Sequence, residues 1–156
     1  MLDRAALHDF VTDLARRREL WEHLIRHVAD QRTYEELVLR DDVGVWLICW
    51  MNDHDTGFHD HDLSSGAVAV VRGKLREERL AIGGSWSRIY EEGESFDFAS
   101  HDIHRMSHAG GGPAVSLHAY SPPLSRMGAY TFDDEGLLRR VSISYAEELR
   151  PFGAAA

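Results

Sequence analysis

Over residues 3–30 the apolar positions Leu7, Phe10, Val11 and Leu14, followed by Leu20, Leu24 and Val28, return every three or four residues with charged residues between them. That is the spacing of one buried stripe on a helix. The segment therefore predicts one bent or two short amphipathic helices on the outside of a larger body, with Asp3 as N-cap. After Gln31 and Arg32 the texture changes. Residues 33–40 and 43–50 read as strands joined by the turn signal Asp41-Asp42, and further strand-like runs follow at 66–71, 74–81, 85–90, 95–98, 103–107, 114–121, 127–132 and 137–145. Gly83-Gly84, Glu92-Gly93, Gly110-Gly111-Gly112-Pro113 and Asp134-Glu135-Gly136 separate them. Many short strands without a returning helical pattern mean a mainly β fold, a sandwich or a closed barrel, and closure also removes exposed strand edges. No linker or repeat divides the chain, so residues 1–156 are expected to form one domain: a helical region at 3–30, a β region at about 33–148, and a frayed tail at 152–156.

Composition narrows the partners. With 156 residues the chain is long enough to bury a core without disulfides. A formal net charge of -9 argues against nucleic acid and anionic membranes, both of which are bound mainly through Lys and Arg, and leaves a small molecule as the expected partner. The single cysteine, Cys49, lies in the apolar run Val45-Trp46-Leu47-Ile48-Cys49-Trp50 and reads as a small buried hydrophobe. Met1-Leu2-Asp3-Arg4 lacks the apolar core of a signal peptide and no run is long enough to span a bilayer. A cytoplasmic monomer or small homo-oligomer is expected.

The chemistry concentrates in two stretches. His59-Asp60-His61 puts two imidazoles on one side of a strand, because strand side chains alternate with a period of two, and this is half of a metal site. The missing ligand has four candidates downstream, His101, His104, His108 and His118, of which His104 sits within a strand-like segment. His8, His23 and His27 lie among Arg and Glu and read as surface residues; His54, between Asp53 and Asp55, reads as a loop histidine at a pocket rim or as an extra ligand. In the run Pro113 to Pro123 the same period puts Ser116, His118 and Tyr120 on one face and Val115, Leu117 and Ala119 on the other. That polar row either faces solvent or faces inward, where its members must satisfy one another or a ligand.

Taken together the two stretches resemble the cupin superfamily and, within it, the thiol dioxygenases typified by cysteine dioxygenase. Gly57, His59, His61 and Gly73 match the first cupin motif, with Gly66 where that motif has a glutamate; Gly93 and His104 match the second. Ser116-Leu117-His118-Ala119-Tyr120-Ser121-Pro122-Pro123 matches the family's Ser-His-Tyr segment and Cys49-Trp50 also fits, so the resemblance covers about residues 34–130. It implies a single cupin barrel (a double-stranded β-helix) with N-terminal helices. It further implies Fe(II) held by His59, His61 and His104, with O2 and a small thiol as co-substrates and a sulfinic acid as product. Tyr120 would orient the oxygen or the substrate, His118 would hold Tyr120, and Ser116 would stand behind His118. Some family members crosslink a cysteine to this tyrosine; with glycine at 66 no crosslink can form.

The resemblance weakens at the substrate end. Cysteine-specific members place an arginine shortly after a tyrosine in the strand before the motif; here Tyr34 is followed by Glu35 and Glu36. An acidic group facing the site would favour a cationic or zwitterionic thiol such as ergothioneine over free cysteine. Arg40, Arg72, Arg105 and Arg126 are the candidates to replace the arginine, and Met127 to form an apolar wall. The expectation is thus an Fe(II)-dependent dioxygenase of a small thiol other than, or besides, cysteine. The alternatives are cysteine dioxygenase proper, a zinc-dependent cupin hydrolase or lyase, and a non-enzymatic ligand-binding cupin.

Overall fold

The computed structural model describes residues 1–144. Helix α1 (Arg4–Arg16) opens where Asp3 Oδ1 accepts the Ala6 N–H at 2.8 Å. It buries Leu7, Val11 and Leu14, one stripe at i, i+4 and i+7. The helical period then stops. Only two single 3-10 turns follow, Arg18–Leu20 and Glu22–Leu24, and Leu20 and Val28 are exposed. Trp21, between the two turns and 2% exposed, takes the buried place that a continuing helix would have given to the leucines.

Eleven strands follow among the described residues. They are β1 (Thr33–Leu39), β2 (Gly44–Trp50), β3 (Phe58–Asp60), β4 (Ser65–Arg72), β5 (Lys74–Ala81), β6 (Gly84–Glu91), β7 (Ser95–Phe98), β8 (Ile103–His108), β9 (Ala114–Ser121), β10 (Arg126–Phe132) and β11 (Leu138–Ser144). Residue 145, the expected end of the last strand, and the tail at 152–156 lie outside the described residues. All pairings are antiparallel. One sheet has the order β1-β2-β9-β4-β7 and the other β11-β10-β3-β8-β5-β6. Their inner faces share a core that includes Ile48, Trp50, Val68, Leu75, Phe98, Met106 and Met127. A second core lies outside the five-stranded sheet, where Leu7, Val11 and Leu14 of α1 meet Val45, Leu47, Ala67, Val115, Leu117 and Ala119. Strand β9 is therefore buried along its whole length. That decides which way the polar row points: with 115, 117 and 119 under α1, Ser116, His118 and Tyr120 face the barrel interior. No helix among the described residues is long and apolar enough to cross a membrane.

Candidate metal centre

Strand β3 is three residues long and lies between β8 and β10, with His59 opposite His104 on one side and Ala129 on the other. His61 stands just past its end, two residues on and hence on the same side, with its N–H donated to the Ser100 carbonyl. The ligand nitrogens of His59, His61 and His104 fall within 4.8 Å of one another, and all three residues are 2% exposed or less. His59 Nδ1 lies 3.0 Å from the Gly57 carbonyl and His104 Nδ1 lies 3.0 Å from Glu77 Oε1. Both acceptors call for a proton on Nδ1 and make Nε2 the lone-pair donor. Neither ring nitrogen of His61 has a hydrogen-bond partner among the described residues. An orphaned polar atom in a dry interior is costly, and a metal ion would relieve it. Burial first, and then the proximity of His59, pushes His61 and His104 well below the ordinary imidazole range. Three imidazoles and no carboxylate among the donors suit iron and zinc, so the residues present fit the implied group.

At Gly66, where the cupin motif has its glutamate, the space is taken. A Cβ on Gly66 would stand 2.0 Å from the Phe98 ring, its cross-strand neighbour. That ring fills the place a fourth side chain would need, with centroids 4.5 Å from His61 and 4.4 Å from His104.

Two buried acids brace the cluster from outside. Glu77, fully buried, holds His104 and is itself held by Arg79 Nε at 2.8 Å; Arg79 reaches on to Asp102 at 3.1 Å and the Asp97 carbonyl at 2.7 Å. Burial pushes the Glu77 carboxyl up, against the pull of Arg79. Asp60, between the two histidines, points to the opposite face of β3. There Arg140 clasps it bidentately at 2.6 and 2.8 Å and the Tyr130 hydroxyl donates to it at 2.6 Å. Burial disfavours its charge, yet these donors hold its carboxyl well below the usual carboxylate range.

The polar row stands beside the cluster. Trp50 Nε1 donates to Ser116 Oγ at 2.9 Å; Ser116 Oγ lies 2.9 Å from His118 Nε2, and His118 Nδ1 lies 3.3 Å from the Tyr120 hydroxyl. The Tyr120 ring is 5.2 Å from the His61 ring. Burial, reinforced by the positive charge of Arg32, pushes His118 down to about 3, so it is neutral throughout the physiological range.

At the substrate end the sequence candidates separate. Tyr34 and Glu36 pair with Ile48 and Trp46 and so share the inner face of β1, Tyr34 against Trp46 at 5.4 Å and Glu36 exposed. Glu35 points the other way, to Arg26. Met127 is fully buried in the inner core. Arg40 binds Asp42 across the turn, Arg72 lies by Glu22, Arg105 binds Asp55, and Arg126 reaches Ser142, so none of the four replacement candidates faces the histidines. The buried cation of this region is Arg32, 4% exposed, with its guanidinium carbon 5.3 Å over the Trp50 ring and lining an open cavity of about 550 Å³. It sits two residues before Tyr34, and that period was its one sequence signal. Glu77 was hidden in the charged run Lys74-Leu75-Arg76-Glu77-Glu78-Arg79, which reads as a solvated strand. His54 uses both ring nitrogens, on the Met51 N–H and the Ala29 carbonyl, and is no ligand here; His101 is exposed.

A family profile described as Cysteine dioxygenase type I matches residues 13–133. Cysteine dioxygenase type 1 of Homo sapiens is 29% identical over 96 residues, covering 54% of this chain and 47% of its own length; that of Danio rerio is 30% identical over 100 residues, covering 56% and 48%. The chain thus spans about half the length of these relatives. The solved structure of a cupin superfamily protein from Desulfitobacterium hafniense aligns with a TM-score of 0.56 at 14% identity, covering 65% of this chain and 87% of that one. The barrel is a cupin barrel, and with its family profile matched over most of its length the chain belongs to the cysteine dioxygenase type I family.

Proposed function

We propose that the chain is a non-haem iron thiol dioxygenase that converts a small thiol to its sulfinic acid. The observation that carries this is a cluster of three buried imidazoles with no carboxylate, next to the inward row Ser116, His118 and Tyr120. His59, His61 and His104 would hold ferrous iron. When bound, the iron supplies the positions at which a thiolate and O2 meet, and both oxygen atoms pass to sulfur, so that RS⁻ and O2 become RSO2⁻. The chain's own residues do the rest. Uncharged ligands leave the ion's full charge to attract an anionic sulfur. Phe98 keeps water and any fourth protein ligand from the histidines. Tyr120 orients the reactants and His118 fixes its hydroxyl.

For the substrate, the buried charge outweighs the exposed one, because an exposed carboxylate is screened by water and salt. Glu36 is exposed, whereas Arg32 is buried beside Trp50. This favours a thiol that carries a carboxylate, cysteine and zwitterions such as ergothioneine included, over a purely cationic one. Arg32 would contact the carboxylate, with Tyr34 lining the approach and Met127 part of the apolar wall behind it.

Oxygen uptake by the iron-loaded protein tests this across cysteine, cysteamine, 3-mercaptopropionate, mercaptosuccinate and ergothioneine. Carboxylated thiols should support uptake, cysteamine should not, and Tyr120→Phe should slow turnover by about 10²-fold or more. Uptake with no thiol at all would overturn the assignment; uptake best with cysteamine would overturn the role of Arg32. The donor set also suits zinc. Zinc as the predominant metal in protein purified without added metal, together with hydrolysis, would support the lyase or hydrolase alternative.

A further inference from the structure

The row beside the histidines has a direction, and one residue sets it. An indole N–H can only donate. Trp50 Nε1 therefore gives its hydrogen to Ser116 Oγ, whose side chain is fully buried and whose hydroxyl has two partners among the described residues, Trp50 and His118 Nε2. With Trp50 as donor, the hydroxyl hydrogen of Ser116 has one acceptor within reach, His118 Nε2. That nitrogen must then carry a lone pair, the imidazole proton must sit on Nδ1, and Nδ1–H must donate to the Tyr120 hydroxyl oxygen. The opposite tautomer would bring two hydrogens together between Ser116 and His118 and bury a hydroxyl hydrogen without an acceptor. Because His118 is neutral, it cannot escape the choice by carrying both protons.

We propose that Trp50 is a positioning residue that fixes the tautomer of His118, and through it makes Tyr120 accept from His118 and donate its own hydrogen elsewhere. The catalytic meaning of that donor rests on the dioxygenase reading; the hydrogen order does not. The Arg32 guanidinium stacked on the Trp50 ring has a consistent effect, since a cation there disfavours a second proton on His118.

The test is nitrogen-15 NMR of the full-length protein labelled at histidine, with zinc as a diamagnetic metal and the His118 signals assigned by their loss in His118→Asn. Long-range nitrogen–hydrogen correlations report which ring nitrogen is protonated. The wild type should show His118 with its proton on Nδ1. Trp50→Phe keeps the ring packing and the stacked Arg32 but removes the donor, and should raise the Nε2–H share by about tenfold. Ser116→Ala should do the same with Trp50 intact. A wild-type His118 protonated on Nε2, or a tautomer unchanged in both variants, would overturn the proposal. Neither result depends on iron or on thiol oxidation, so loss of the dioxygenase reading would leave this test standing.

Discussion

At the scale of single residues, the centre depends on groups that never touch a metal. Glu77 is gripped in a dry site by Arg79, whose other partner is Asp102, and it keeps the His104 ring turned. Glu77→Gln preserves the shape and loses the strong acceptor. It should leave the thermal transition of the metal-free protein nearly unchanged while metal affinity, measured against a competing chelator, falls by about 10- to 100-fold. His118 gives a pH signature. Its folded-state value of about 3 lies below the ordinary 6.5, so the unfolded chain binds a proton first and stability falls as pH drops from about 6.5 towards 3. Urea unfolding across that window should show a slope that His118→Asn reduces by about one proton. The residues of this second layer were hard to read in the sequence for a physical reason. Glu77 and Arg32 are charged, and a charge in a strand pattern signals solvent unless the fold supplies a counter-charge from far along the chain. The histidines could be read because their short spacing already puts two of them together.

At the scale of elements, strand length decided what could be read. The long strands β2, β5 and β9 announce themselves through seven or eight residues of extended pattern, and α1 through its single stripe. Strand β3 has three residues and no apolar run, so its place between β8 and β10 follows from tertiary contacts alone. The segment after Arg16 misled because Trp21 outcompetes the leucines for burial. So short a strand needs an outside anchor, which β10 and β11 provide through the grip of Tyr130 and Arg140 on Asp60. Asp60→Asn should lower stability in chemical denaturation by about 2–3 kcal/mol and Tyr130→Phe by about 1 kcal/mol, with metal affinity falling in parallel.

At the scale of the whole molecule, α1 and the two sheets make three layers, and the histidines sit between the sheets. Because β2, β4 and β9 are covered on both faces, the polar row has nowhere to turn but inward. The ligands come from the β3 region and from β8, far apart in the chain, so a bound ion ties distant parts of the barrel together. Removing it with a chelator should lower the melting temperature by about 5–10 °C if metal is at 100 times its dissociation constant beforehand. A triple substitution of His59, His61 and His104 by Ala should abolish that chelator response.

The contact between Gly66 and Phe98 also bears on how such a site can change by mutation. With the aromatic ring 2.0 Å from where a methyl would stand, any side chain at 66 arrives into occupied space. Positions 66 and 98 therefore behave as one variable written in two places. A glutamate or a cysteine at 66 requires the Phe98 ring to move or to shrink, and a smaller residue at 98 alone leaves an unfilled hole beside His61 and His104. A carboxylate or thiol at 66 thus competes with an aromatic ring for one volume beside His61 and His104.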